Sequence, residues 1–199
     1  PMGSGSYSDN DYQERAADRA TRRVDTFQYS QDVRRGFDNS GHRVVAQTHP
    51  SLDIRGKFRE SRDSDGVPSI SIVFILDVTG SMLAVPPVIQ KSLPNAMRLL
   101  IEHGYTREKP QVLFGAVADT HGDAYPLQVG QFESDIRMED NLINMILGGG
   151  GTWPAAMEYN CESYELPIYF LATRTKIDCW EKRGKKGYAF ILGDEHPYS

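Results

Sequence analysis

The fold of this chain is decided by residues 69–82, SISIVFILDVTGSM. The apolar run at 70–76 is rich in β-branched side chains and lacks the alternation of a half-exposed strand. Such a run is typical of a strand buried on both faces of a parallel sheet. Asp77, Thr79 and Ser81 follow at the carboxyl end of this strand, which is where open α/β sheets bind ligands.

The polar side chains of this turn can direct oxygen atoms at one point. A carboxylate and two hydroxyls at alternate positions form a hard ligand set that suits Mg²⁺ or Mn²⁺. Two interpretations other than metal binding remain for these three residues. The same side chains could simply cap the next helix, or Asp77 could be the nucleophile of a haloacid-dehalogenase-like phosphatase. Thr79 stands where such enzymes need a second acid.

The rest of the sequence alternates between strand and helix patterns. Because the strands alternate with amphipathic helices, we expect an α/β fold with a doubly wound, mostly parallel sheet flanked by helices. We expect Pro94 to kink the first helix and Pro167 to break a helical stretch at 154–178. Further strands are predicted at 111–118, 125–129 and 188–192, and helices at 85–103 and 134–147.

Three strand-end segments in order resemble the metal-ion-dependent adhesion site of a von Willebrand factor A (vWA) domain. They are DVTGS at 77–81, GGGGT at 148–152 and GD at 193–194. The resemblance covers roughly residue 68 to the end and implies a Rossmann-like vWA fold with bound Mg²⁺ or Mn²⁺. It also implies that one coordination position is left for an acidic residue of a partner protein. The implied metal ligands are Asp77, Thr79, Ser81, Thr152 and Asp194.

Residues 115–125, GAVADTHGDAY, are similar to an Asp-x-His-x-Asp turn in an intracellular vWA subgroup. The similarity places Asp119, His121 and Asp123 on the rim of the site. These residues could equally form a hydrogen-bonded turn or supply acid–base catalysis. Trp153 and Glu195 are further rim candidates, and many members of the family have Thr-Asp-Gly in place of the Gly-Asp-Glu found here.

Composition divides the chain at about residue 68. We interpret residues 1–68 as a polar N-terminal extension, of which 1–6 look like a cloning scar, and residues 69–199 as the vWA-like domain. The extension predicts a polar helix over 9–25, whose arginines at 15, 19, 22 and 23 suggest a solvated face.

We expect the domain to be incomplete at its C-terminus, because the family usually continues with two more strands. The free sheet edge at 188–192 would then be prone to pairing, which makes self-association possible. The segment 42–58 is a candidate to cover that edge.

Several function classes are disfavoured by composition. The net charge of −5 disfavours nonspecific nucleic-acid binding, and no apolar run is long enough to span a membrane. Cys161 and Cys179 form no CxxC pair, so a zinc site is not expected. Two cysteines without a disulfide framework fit a reducing compartment, and we expect a cytoplasmic protein.

These observations favour a Mg²⁺-dependent protein–protein interaction module, a scaffold or adaptor rather than an enzyme. One alternative is a metal-dependent hydrolase in which Asp119, His121 or Asp123 activates water. Another is a structural domain that binds no metal.

Overall fold

The structure is a computed structural model that describes residues 7–36, 38, 40–42, 47–61, 67–102, 108–150 and 161–198. Its helices are α1 (Asp9–Arg22), α2 (Gln28–Arg35), α3 (Val85–Glu102), α4 (Arg137–Ile143), α5 (Glu165–Arg174) and α6 (Asp178–Glu181), with 3₁₀ turns at Pro50–Leu52 and Gly80–Ala84. Its strands are β1 (Phe58–Glu60), β2 (Ser69–Asp77), β3 (Lys109–Val117), β4 (Leu127–Val129), β5 (Cys161–Glu162), β6 (Thr175–Ile177), β7 (Tyr188–Leu192) and β8 (His196–Pro197).

The central sheet has the strand order β4-β3-β2-β7. Strand β2 is parallel to both β3 and β7, whereas β4 pairs antiparallel with β3 at one edge. The register sets Asp77 opposite Val117 and Leu76 opposite Leu192, so β2, β3 and β7 end at the same edge of the sheet. The predicted mixed α/β fold with a mostly parallel sheet and flanking helices is therefore confirmed at this level.

Both faces of β2 are covered, as its apolar run predicts. Ile72 and Leu76 lie in one core, against α3 and α4, and Val73 and Ile75 lie in the other, against β1 and α5. Successive strand residues point to opposite faces, so an uninterrupted apolar sequence fills two cores at once. Burial of each such side chain contributes about 1.5 to 3 kcal/mol.

Helix α3 continues through Pro94, so Pro94 does not interrupt the helix, and a kink at this residue stays a prediction. Pro167 does not break a helix either, because it lies in the first turn of α5, where proline removes no intrahelical hydrogen bond. The helix predicted over 134–147 is shorter than expected and spans only Arg137–Ile143. In the part of the chain that the structure describes, no helix is long and apolar enough to cross a membrane.

The polar N-terminal helix packs on the domain through buried charge. Glu139 of α4 is fully buried, and its carboxylate pairs with Arg15 at 2.6 Å and Arg19 at 2.8 Å. The Tyr7 hydroxyl and the Gln90 side-chain amide donate to the same carboxylate. The prediction of a solvated arginine face was therefore wrong for Arg15 and Arg19, which compensate a buried acid.

The segment 42–58 does not cover the free edge of the sheet. Its last residue begins β1, which pairs in parallel with β6 and not with β7. Leu52, in the same segment, is fully buried in the first core. Residues 43–46 lie outside the described part of the chain, so part of this prediction is not addressed.

Candidate functional site

Two of the strands that end together deliver polar residues to one place. Asp77 is the last residue of β2, and Asp194 lies two residues beyond β7. The Ser81 hydroxyl, in the 3₁₀ turn after β2, donates a hydrogen bond to the Asp194 carboxylate. The structure thus brings together four of the five predicted metal ligands, and the fifth, Thr152, lies outside the described residues together with the rim candidate Trp153.

Asp77 is fully buried and held in one orientation. Its Oδ1 accepts from the backbone N–H and the hydroxyl of Thr79, both at 2.8 Å, and its Oδ2 accepts from the Tyr164 hydroxyl at 3.1 Å. Burial raises the pKa of the Asp77 carboxyl, the charge of Asp194 adds to this, and the hydrogen bonds from Thr79 and Tyr164 act in the opposite direction. The carboxylate is therefore well placed but poorly compensated.

A second buried acid at this point, Glu162 of β5, was missed by the sequence analysis. It is only 6% exposed, and its Oε1 lies 2.7 Å from the Thr79 hydroxyl oxygen. Its Oε2 is buried without a hydrogen-bond partner among the described residues. Burial, with the nearby charges of Asp77, Asp123 and Asp119, raises the pKa of Glu162 to about 7.

The two carboxylate contacts of the Thr79 hydroxyl require one more hydrogen than this hydroxyl carries. The Thr79 hydroxyl oxygen contacts both Asp77 Oδ1 and Glu162 Oε1, yet a hydroxyl has a single hydrogen to donate. If both acids are ionised, one contact joins two acceptors. The conflict is removed either when Glu162 takes up a proton or when a cation shares the oxygens. Because buried oxygens of this type are hard ligands, a divalent cation such as Mg²⁺ fits the donor set.

The acids alone do not make up a metal centre. Within the described ranges, no group of three or more His, Cys, Asp or Glu side chains is arranged to hold a metal ion. The donor set instead combines the carboxylates of Asp77 and Glu162 with the hydroxyls of Thr79 and Ser81, close to Asp194. A cation at this site would depend on the hydroxyl ligands as much as on the acids.

The glycine-rich loop begins beside this site. The Gly148 N–H donates to the carbonyl of Val78 at 2.6 Å, which ties the loop to the residue after β2. Gly148, Gly149 and Gly150 all have positive φ, at 82°, 62° and 71°. A Cβ atom on Gly149 would also collide with the Asp123 carboxylate. The loop that leads to residue 152 therefore needs glycine for both its conformation and its packing.

The rim residues Asp119, His121 and Asp123 form a closed turn. Asp119 Oδ1 accepts from the His121 N–H at 3.0 Å and from the Tyr198 hydroxyl at 2.8 Å, and Asp123 accepts from the Asp119 N–H at 3.0 Å. Burial opposes the ionisation of Asp119, but hydrogen bonds from His121 and Tyr198 outweigh it and lower the pKa of Asp119. An acid with a lowered pKa is a weak base, so the turn favours structure over catalysis.

The remaining rim candidate, Glu195, is exposed beside Asp194. Two tyrosines that the sequence analysis did not identify complete the site, Tyr164 on Asp77 and Tyr198 on Asp119. No motif marks these tyrosines or Glu162, and the sequence predicted a helical stretch across residues 154–178. Their contacts with the site span about 80 residues of chain, so local spacing carried no signal for them.

A cavity of about 470 Å³ lies away from this site. It is lined largely by charged side chains of α1 and by Tyr29, Ile143 and Asn144. None of the residues around Asp77 contributes to its walls. The cavity is partly open to solvent and does not adjoin the candidate metal ligands.

Comparison of the chain with protein-family models, with curated proteins and with solved structures gives no match. The family resemblance of the three motifs therefore stays a prediction.

Proposed function

We propose that this chain is a Mg²⁺-dependent protein-binding module, in which a carboxylate of the partner completes the coordination of the cation. The observation that carries the proposal is the orphaned Oε2 of Glu162, buried next to the Thr79 hydroxyl and the buried Asp77. A buried carboxylate oxygen without a hydrogen-bond partner destabilises a fold unless a proton or a cation compensates its charge. The presence of such an acid beside hydroxyl ligands supports a binding site.

In this proposal the residues have distinct roles. Thr79 and Ser81 supply hydroxyl ligands, and the motif implies that Thr152 supplies a third. The carboxylates of Asp77 and Asp194 orient the hydroxyls of Thr79 and Ser81. Bound Mg²⁺ would supply an electrophilic centre that attracts an incoming carboxylate. Ser81 and Asp194 are exposed, so a side chain of a partner can reach this end of the site. Glu162 adds a buried negative charge that favours the cation.

The hydrolase alternative has less support. His121 is mostly exposed and packs against the Tyr198 ring, with 4.8 Å between centroids, and its Nδ1 lies 3.3 Å from Asp119 Oδ1. Because Asp119 is held in a closed turn, we expect Asp119→Asn to leave Mg²⁺ affinity close to that of the wild type. Both cysteines are free thiols, which is compatible with a reducing compartment and supports our proposal of a cytoplasmic location.

The first experiment is calorimetric titration of Mg²⁺ and Mn²⁺ into the wild type, Asp77→Asn and Glu162→Gln. We expect binding to the wild type and at least a tenfold loss of affinity in both variants, since each loses a buried charge that faces the cation. The matched control is Asp18→Asn, because Asp18 is an exposed acid on α1 that pairs with Arg22. Absence of binding to the wild type would favour the metal-free structural domain instead.

The second experiment tests the partner. A random peptide library is selected on the immobilised chain in Mg²⁺. The recovered peptides should carry an Asp or Glu whose change to Asn or Gln removes binding, and EDTA should release them. Peptides that bind equally well in EDTA would contradict the proposed mode of recognition even if the cation binds.

A further inference from the structure

Strand β7 exposes an apolar edge. It is the last strand of the β4-β3-β2-β7 sheet, and within the described residues it is hydrogen-bonded only to β2. Tyr188, Phe190 and Ile191 are 49%, 48% and 38% exposed. An exposed edge strand with large apolar side chains offers unpaired backbone groups to another strand. Such an edge is therefore a candidate site for pairing with a strand of another chain.

The sequence around this strand is symmetric in character about Phe190. Residues 185–195 read KKGYAFILGDE, with two lysines and a glycine before the strand and a glycine and two acids after it. In an antiparallel pair of copies centred on Phe190, the lysine-bearing end of each strand lies beside the acidic end of the other. A parallel pair would instead set lysine against lysine. The charges therefore favour an antiparallel arrangement of two identical strands.

We propose that β7 pairs antiparallel with β7 of a second copy, in the register centred on Phe190, and so joins two four-stranded sheets into one. The contact has two-fold symmetry and uses the same surface of both copies, as closed dimers commonly do. Lys186 is the charge that is free to act across the contact, because it forms no ion pair with the described residues, whereas Lys185 already binds Glu108 at 2.6 Å. The interface is short, so the dimer is a weak and reversible one. This inference does not rest on metal binding.

Sedimentation equilibrium of the wild type across about two decades of concentration tests the dimer, in EDTA so that the cation plays no part. Phe190→Lys places two lysines together at the symmetry axis and should give a monomer at all concentrations. Lys186→Glu, an exposed change that leaves the core untouched, should weaken the dimer about tenfold because it acts twice. The matched control is Tyr169→Lys on α5, where the side chain is 68% exposed, and it should leave the dimer unchanged.

Disulfide formation tests the register. In a Cys161→Ser background, Phe190→Cys should oxidise to a covalent dimer, because the two copies of residue 190 face each other. Tyr188→Cys should not, because the two copies of residue 188 would lie about 13 Å apart along the strand. A wild type that is monomeric throughout, a dimer that survives Phe190→Lys, or equal cross-linking at both positions would overturn the proposal.

Discussion

Replacement of Glu162 by glutamine separates the stability of the fold from its capacity to bind a cation. Glu162 is buried with one carboxylate oxygen unpartnered, and its pKa is raised to about 7. The glutamine side chain has the same shape but cannot carry a negative charge. We therefore expect Glu162→Gln to stabilise the metal-free protein while it weakens the binding of Mg²⁺.

The magnitude follows from the pKa of the folded state. A rise from 4.5 to about 7 makes the ionised carboxylate cost on the order of 3 kcal/mol, at about 1.4 kcal/mol for each pKa unit. While Glu162 is protonated it does not destabilise the folded state, and the cost arises only when the buried carboxyl group ionises. The wild type is therefore unaffected below pH 4.5, loses stability as the pH rises through about 7, and has lost the full amount above it. Glu162→Gln does not show this loss.

The assay is urea denaturation of both proteins in EDTA, at several pH values from 4.5 to 8.5. We expect Glu162→Gln to match the wild type at the acid end and to be more stable by about 1 to 3 kcal/mol at the alkaline end, since the buried amide recovers only part of the charge cost. Saturating Mg²⁺ at pH 8 should narrow the difference by about 1.3 kcal/mol, because at 100 times the wild-type Kd the wild type gains about 2.7 kcal/mol whereas a variant with tenfold weaker binding gains about 1.4 kcal/mol.

The matched control is Glu165→Gln, an exposed acid at the start of α5, which should be insensitive to both pH and Mg²⁺. If Glu162→Gln is less stable than the wild type in EDTA at pH 8, or if the difference does not change with pH, then the buried carboxylate is compensated and the argument for a cation fails.

Two further predictions concern the N-terminal helix and the glycine loop. Glu139→Ala should lower the free energy of unfolding by about 3 to 5 kcal/mol in urea, because it leaves two arginines without their buried partner; Glu14→Ala, on the exposed side of α1, should change it by less than about 0.5 kcal/mol. Gly149→Ala should cost about 1 to 2 kcal/mol for its positive φ and push the loop that leads to the proposed ligand Thr152 away from Asp123, which calorimetry would register as weaker Mg²⁺ binding. An unchanged Mg²⁺ affinity in Gly149→Ala would mean that the loop is not coupled to the site.

The parts of the fold that the sequence predicted are those encoded by local pattern. The apolar run of β2 predicted a doubly buried strand, and its residues do fill two cores. Asp77 and Thr79 are two residues apart, and their hydrogen bonds follow from that spacing. The glycine run was also visible as a motif, because positive φ restricts the choice of residue.

The parts that the sequence did not predict depend on distant contacts. Glu162 meets Thr79 across 83 positions, and the acid has no motif of its own. Arg15 and Arg19 were expected to be solvated because polar helix faces usually are, but a buried glutamate more than 100 residues away reverses that expectation. A polar sequence pattern shows which side chains can be hydrated. It does not show that a buried side chain of opposite charge lies in another helix or strand.

The burial of Glu139 has a consequence for how the chain can be divided. Composition changes near residue 68, and a protein engineer would be inclined to express a fragment that begins at Ser69. Such a fragment would lose both arginines that neutralise Glu139 and would open the spaces filled by Leu52 and Phe58. The shift in composition is therefore not a boundary between separate packing units, because the segment before residue 69 supplies both ionic and apolar contacts to the rest of the chain.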